Sequence, residues 1–197
     1  MSLWTRDWRG RAPRGGNGVA AAPAIPEPPA QAIRGWTESG FVTGVVRGWE
    51  RASDMLNRRE PLWVESPRTT ADGAERAMLV EPDRRVDPFE FDIVLVSPMP
   101  EPVARRSRAR RVHKLPFRAS IEAGDSEIEG VLHLFPGNDP EFAHHRLTSL
   151  FLPVTEPLVR RRGMLVSNPT TDVALVNRYL ITSIRQLDWI PRLPIPA

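Results

Sequence analysis

The chain has no cysteine, a single tyrosine, a single lysine and no long apolar run. Without cysteine there is no disulfide, no thiolate metal ligand and no cysteine nucleophile. No stretch approaches the roughly 18–20 apolar residues that cross a bilayer as a helix. Lys114 is the only lysine among 27 basic residues, so the positive charge is almost entirely arginine. Arginine forks fit carboxylates and phosphates better than lysine does. Common catalytic fingerprints are missing as well: there is no Gly-x-Ser-x-Gly, no P-loop, no dinucleotide glycine pattern and no His-Glu-x-x-His. The sequence names no reaction, no cofactor and no catalytic residue. Its information lies in organisation.

The 197 residues suit one domain, or two small ones with a tail. Proline is abundant, at 21 residues, about twice average usage. Proline removes a backbone donor and clashes with the preceding helical turn, so long interior helices are disfavoured and short strands and turns fit better. Hydrophobic residues make up 41% of the chain, enough for a modest core, and the net charge is only +3.

Residues 1–35 read as an extended, Pro-rich arm in which neither a period of 2 nor one of 3.6 survives. Arg6, Arg9, Arg11 and Arg14 resemble the start of a signal peptide, but the apolar piece at residues 19–25 is broken by Pro23 and runs into Pro26-Glu27-Pro28-Pro29. A secretory core needs about 7–15 unbroken apolar residues. The expectation is therefore a cytoplasmic protein, in line with the missing cysteines. Alone, the arm has too little apolar surface to offset its ordering entropy. Trp4 and Trp8, four residues apart, share one face if helical, and tryptophan beside arginine suits a membrane–water interface or a protein pocket. The expected partner-binding residues are Trp4, Arg6, Trp8, Arg9, Arg11, Pro26, Pro28, Pro29 and Trp36.

The body begins near Trp36, and two passages in it resemble each other. Gly40-Phe41-Val42-Thr43-Gly44-Val45-Val46 and Ser126-Glu127-Ile128-Glu129-Gly130-Val131-Leu132 read as strands with a glycine before an apolar pair. A short helical piece follows each, at residues 50–57 and 139–148, where Asp139 is a plausible cap and Pro140 fits the first turn. Strands come next, around Leu62-Trp63-Val64 and around Leu152-Pro153-Val154, where Pro153 points to an edge or a bulge. Further strands lie near residues 77–80 and 163–166. The closing apolar strands are residues 91–96 and 172–184. The expectation is a mainly β (α+β) protein: two related β-sandwich or barrel-like units with short helices, residues 36–103 and 104–190, offset by about 87–91 positions. A Pro- and Arg-rich join around residues 98–114 separates them, leading into a strand at residues 112–121. An extended apolar strip covers residues 191–197.

Arg51-Ala52-Ser53-Asp54-Met55-Leu56-Asn57, followed by Pro61-Leu62-Trp63-Val64, resembles a small uncharacterised bacterial β-domain family. The pattern of that family is a strand, an Arg-Leu-Ser-Asp-aromatic-Leu-Asn helix, an apolar strand and a closing Val-Asn-x-x-x-Ile strand. The second half keeps Val176-Asn177-Arg178-Tyr179-Leu180-Ile181 and departs at the helix, where His144-His145 replace Ser-Asp. The family carries no established catalysis, so the resemblance implies no catalytic residues. Through Trp4, Trp8 and the run from Pro26 to Pro29, the chain is also similar to accessory pigment-free subunits of bacterial photosynthetic reaction-centre and light-harvesting complexes. That resemblance implies a non-catalytic subunit bracing a membrane complex from its cytoplasmic side, with protein subunits as partners and membrane-surface contact through the arm.

Other chemistry is less well supported. His144-His145 with His133, Asp139 and Glu141 has the residue types of a metal site, but adjacent helical residues point about 100° apart. A PilZ-like nucleotide-binding module would use Arg106-Ser107-Arg108-Ala109-Arg110, yet Gly124-Asp125-Ser126-Glu127-Ile128-Glu129-Gly130 departs from that pattern by one residue, and a one-residue slip swaps strand faces. Nucleic-acid binding would draw on Arg11-Ala12-Pro13-Arg14-Gly15-Gly16 with residues 105–114. The nearly balanced overall charge disfavours it. Glu127 and Glu129, at period 2, read as one solvated face.

Overall fold

A computed structural model describes residues 27–38, 40–71, 79–80, 82–98, 113–168 and 170–189. The protein is mainly β. Among the described residues, twelve antiparallel strands form one continuous sheet. In the first half, β1 (Ala30–Thr37) and β2 (Gly40–Arg47) make a hairpin, followed by the helix α1 (Ala52–Asn57), then β3 (Leu62–Ala71), β4 (Leu79–Val80), β5 (Arg84–Val86), a 3-10 turn (Pro88–Glu90) and β6 (Phe91–Val96). In the second half, β7 (Leu115–Ala123) and β8 (Ser126–Leu134) make a hairpin. A 3-10 turn (Pro140–Phe142), the one-turn helix α2 (Ala143–Arg146), β9 (Phe151–Arg161), β10 (Met164–Leu165), β11 (Val173–Asn177), a 3-10 turn (Arg178–Leu180) and β12 (Ile181–Trp189) follow. Spatial order is β12-β7-β8-β9-β11-β6-β1-β2-β3-β4, with β10 beside β9 and β5 beside β3.

The two halves meet at the β6–β11 ladder, where Val96 lies opposite Val173 and Ile93 opposite Val176. This pair is buried on both faces, which explains the near-continuous apolar runs Phe91-Asp92-Ile93-Val94-Leu95-Val96 and Val173-Ala174-Leu175-Val176. Ile93, Leu95, Ala174 and Val176 face one core, with Ile121, Ile128, Leu132 and Val154. Phe91, Val94, Val96 and Leu175 face the other, with Val42, Leu56, Val64 and Val86. Neither core is private to one half: Trp36 enters the first, while Leu150 and Phe151 enter the second. Each fully buried Leu, Ile or Phe contributes roughly 1.5–3 kcal/mol. The helix α1 plugs the second core through Ala52 and Leu56.

The hydrogen-bond ladders of one half recur in the other. A shift of 86 positions carries the Thr37–Gly40 pair onto Ala123–Ser126 and the Ala32–Val45 pair onto Arg118–Val131. A shift of 90 carries Leu62–Val86 onto Leu152–Val176. Combining the two shifts carries Val45–Glu65 onto Val131–Thr155 and Thr37–Phe91 onto Ala123–Ile181. The register breaks coincide, between Thr43 and Val45 in one half and between Glu129 and Val131 in the other. Opposite each break sits a residue with left-handed backbone, Ser66 at φ 46° and Glu156 at φ 52°.

Several boundaries differ from expectation. The sheet starts at Ala30, not near Trp36, because Gln31, Ile33 and Gly35 alternate inward. The second closing strand is two strands, broken by the 3-10 turn after Asn177, whose Oδ1 accepts from Tyr179 N. The ladder counterpart of β6 is therefore β12, and the counterpart of β11 is β5. Strand β5 carries Arg84-Arg85-Val86, too short and too charged to show a strand period. Pro153 lies on a central strand rather than an edge. The ladder to β8 begins only at Val154, so the missing donor of Pro153 falls beyond its end.

Candidate functional site

Trp4, Arg6, Trp8, Arg9, Arg11 and Pro26 lie outside the described residues, as do residues 99–112 and 190–197. Pro28 and Pro29 are half-buried, and the Pro29 carbonyl accepts from Gly48 N at 3.1 Å. Trp36 is 8% exposed and stacks on Phe41, with ring centroids 6.0 Å apart. Its ring packs inside the chain's own core, leaving little surface for a partner.

The histidines are dispersed. His133, on β8, has Nε2 2.9 Å from Thr155 Oγ1, and burial, aided by Lys114, lowers its pKa. On α2 the rings of His144 and His145 lie 3.8 Å apart, and burial, then the neighbouring His145, lowers the pKa of His144. Among the described residues, no group of three His, Asp or Glu is placed to hold a metal ion. The stretch between Asp125 and Gly130 serves packing and charge pairing. Asp125 Oδ1 lies 3.3 Å from Arg161 Nη1, and its Oδ2 accepts from Arg162 Nε at 2.8 Å. Buried Arg161 also donates to Asp92 on β6 at 3.2 Å, which ties the halves together. Burial raises the pKa of Asp92 and outweighs the opposing hydrogen bond from Arg161.

Aromatic side chains stand outward at matching places. Trp49 (51% exposed) follows β2 as Phe135 (47%) follows β8, related by the shift of 86. Phe89 (49%) and Tyr179 (61%), related by the shift of 90, project from the 3-10 turns. Their backbones are pinned: Phe89 N donates to Asp87 Oδ1 at 2.9 Å, and Tyr179 N to Asn177 Oδ1 at 3.2 Å. Arg178 lies over the Tyr179 ring, 4.6 Å from its centroid, and its Nη2 donates to the phenol oxygen at 2.8 Å. That hydrogen bond lowers the tyrosine pKa. Trp63 is also exposed, because Leu62 and Val64 on either side of it turn inward.

A cleft of about 490 Å³ opens where the halves meet. Its floor is a cross-strand rung in which Arg34 on β1 lies opposite Thr43 on β2, and Thr43 opposite Arg68 on β3. Directly opposed residues share a face, so both arginines stand on one side, two strand spacings apart, roughly 10 Å between backbones. The loop between β10 and β11 forms the other wall through Asn168 and Thr170. Asn168 Oδ1 accepts from Thr170 N at 3.1 Å and from its hydroxyl at 2.7 Å, which orders that loop. Sequence reasoning passed over this rung. The tight turn after Thr37 places Arg34 opposite Thr43, but the bulge at Ser66 decides which β3 residue comes next.

Comparison of the chain with protein-family models, with curated proteins and with solved structures gives no match.

Proposed function

We propose that the chain is a non-catalytic assembly subunit that braces a larger complex on the cytoplasmic face of a membrane. The observation that carries the reading is the pairing of exposed aromatics, Trp49 with Phe135 and Phe89 with Tyr179, at equivalent ladder positions. A single exposed aromatic is ordinary. Recurrence at matching ladder positions, with Phe89 and Tyr179 on capped turns, is an arrangement that supplies interface anchors, since large rings bury much area at low entropy cost. The matching ladders support reading the halves as two copies of one unit, presenting two similar contact surfaces. The membrane side of the proposal comes from the sequence, where Trp4 and Trp8 alternate with Arg6, Arg9 and Arg11. Among the described residues, no helix is long and apolar enough to cross a membrane.

The test is affinity purification of the tagged chain from its native cells. Replacing Trp49, Trp63 and Phe89 by serine removes exposed rings, and surface changes of this kind usually shift stability by under about 0.5 kcal/mol each. The expected outcome is a folded protein that no longer retains its partners, with deletion of residues 1–26 weakening retention separately. Unchanged co-purification of both variants overturns the proposal.

A further inference from the structure

We propose that the cleft at the junction binds the phosphate group of a small anionic molecule, gripped between Arg34 and Arg68. The inference is independent of the assembly reading. Among the described residues, those lining the cleft include two arginines and no carboxylate. Uncompensated positive charge in a concave, partly desolvated setting concentrates anions. The side chain of Arg68 is exposed and forms no ion pair or hydrogen bond among the described residues. Among the described residues, half-buried Arg34 makes one long side-chain hydrogen bond, Nη1 to Val166 O at 3.4 Å, and a guanidinium has five N–H donors to satisfy. Asp83, which follows β4, is engaged elsewhere, its Oδ1 accepting from Ser66 N at 2.7 Å.

The fold itself does not call for this charge. At the equivalent rung of the second half stand Ser120, Glu129 and Leu158, with Glu129 3.8 Å from Arg160. The same ladder therefore forms with no arginine on the rung. Donor number favours phosphate over carboxylate. Two guanidinium forks and the hydroxyls of Thr43 and Ser66 offer more donors than two carboxylate oxygens accept, whereas a phosphate presents three or more oxygens around its centre. The cleft volume falls within the range of small-molecule sites.

The test is calorimetric titration of the full chain with inorganic phosphate and with pyrophosphate, with succinate as the carboxylate control. Saturable binding of pyrophosphate is expected, weaker binding of phosphate, and none of succinate. Arg68→Gln, which removes an exposed side chain unpaired among the described residues, is expected to weaken pyrophosphate binding about tenfold without changing the unliganded melting temperature. Arg34→Gln is expected to weaken it similarly. Arg185→Gln, on β12 and outside the cleft, is the general-charge control and leaves binding intact. Absence of saturable binding, equal binding by Arg68→Gln, or succinate binding as tightly as pyrophosphate overturns the inference.

Discussion

Two glycines at matching ladder positions, Gly44 and Gly130, meet similar close approaches. A methyl group on Gly130 would lie 2.5 Å from Val154 Cγ1 and 2.8 Å from Thr155 O, and one on Gly44 would strike Val64 Cγ1 and lie 3.1 Å from Glu65 O. Each glycine sits at a register break, where the bulged strand folds over it. A valine methyl can rotate away, but a carbonyl in a ladder cannot. Gly130→Ala is therefore expected to cost about 2–3 kcal/mol, with Gly44→Ala costing less because its nearest backbone atom is farther away. Urea denaturation of the two variants checks both the size and the order. Equal losses would mean that the carbonyl approach at Gly130 is not the deciding contact.

Among the elements, the 3-10 turns before β6 and β12 are the most informative comparison. Asp87 and Asn177 cap them in the same way, but Asn177 does more: its Nδ2 donates to Phe91 O at 3.0 Å in a buried setting across the junction. Asp87→Ala is expected to lose a cap, about 1 kcal/mol. Asn177→Ala also strands a buried carbonyl and is expected to lose about 2–3 kcal/mol. Similar losses in chemical denaturation would remove the Phe91 bond from the account. The mainly β character was legible in the sequence, where glycine before an apolar pair and the Leu-x-Val triplets occur in both halves. The correspondence of β5 to β11 was not, since Arg84-Arg85-Val86 holds its place by ladder geometry rather than by apolar pattern. Trp36 shows the opposite failure: its sequence context resembles an anchor, and only the β1–β6 ladder reveals that its ring turns inward. The cleft stayed hidden for a related reason, as its residues are far apart in the chain and meet only once a bulge sets the register.

At the scale of the whole molecule, the β6–β11 ladder makes one body of two similar halves. Leu175 belongs by sequence to the second half but packs in the core built mainly from the first half. Leu175→Ala is expected to cost about 2–5 kcal/mol and to lower a single melting transition, followed alike by tryptophan fluorescence and far-ultraviolet circular dichroism. Two separable transitions would show that the halves fold independently. The shared wall also bears on synthesis. When β6 leaves the ribosome, its partner β11 is still some 80 residues away (from Val96 to Val176). At ordinary elongation rates that is roughly 4–16 s. Throughout that interval the nascent first half carries Ile93 and Leu95 without their β11 neighbours, beside an open strand edge, so slower translation through the second half lengthens the time that edge stays available to other polypeptides.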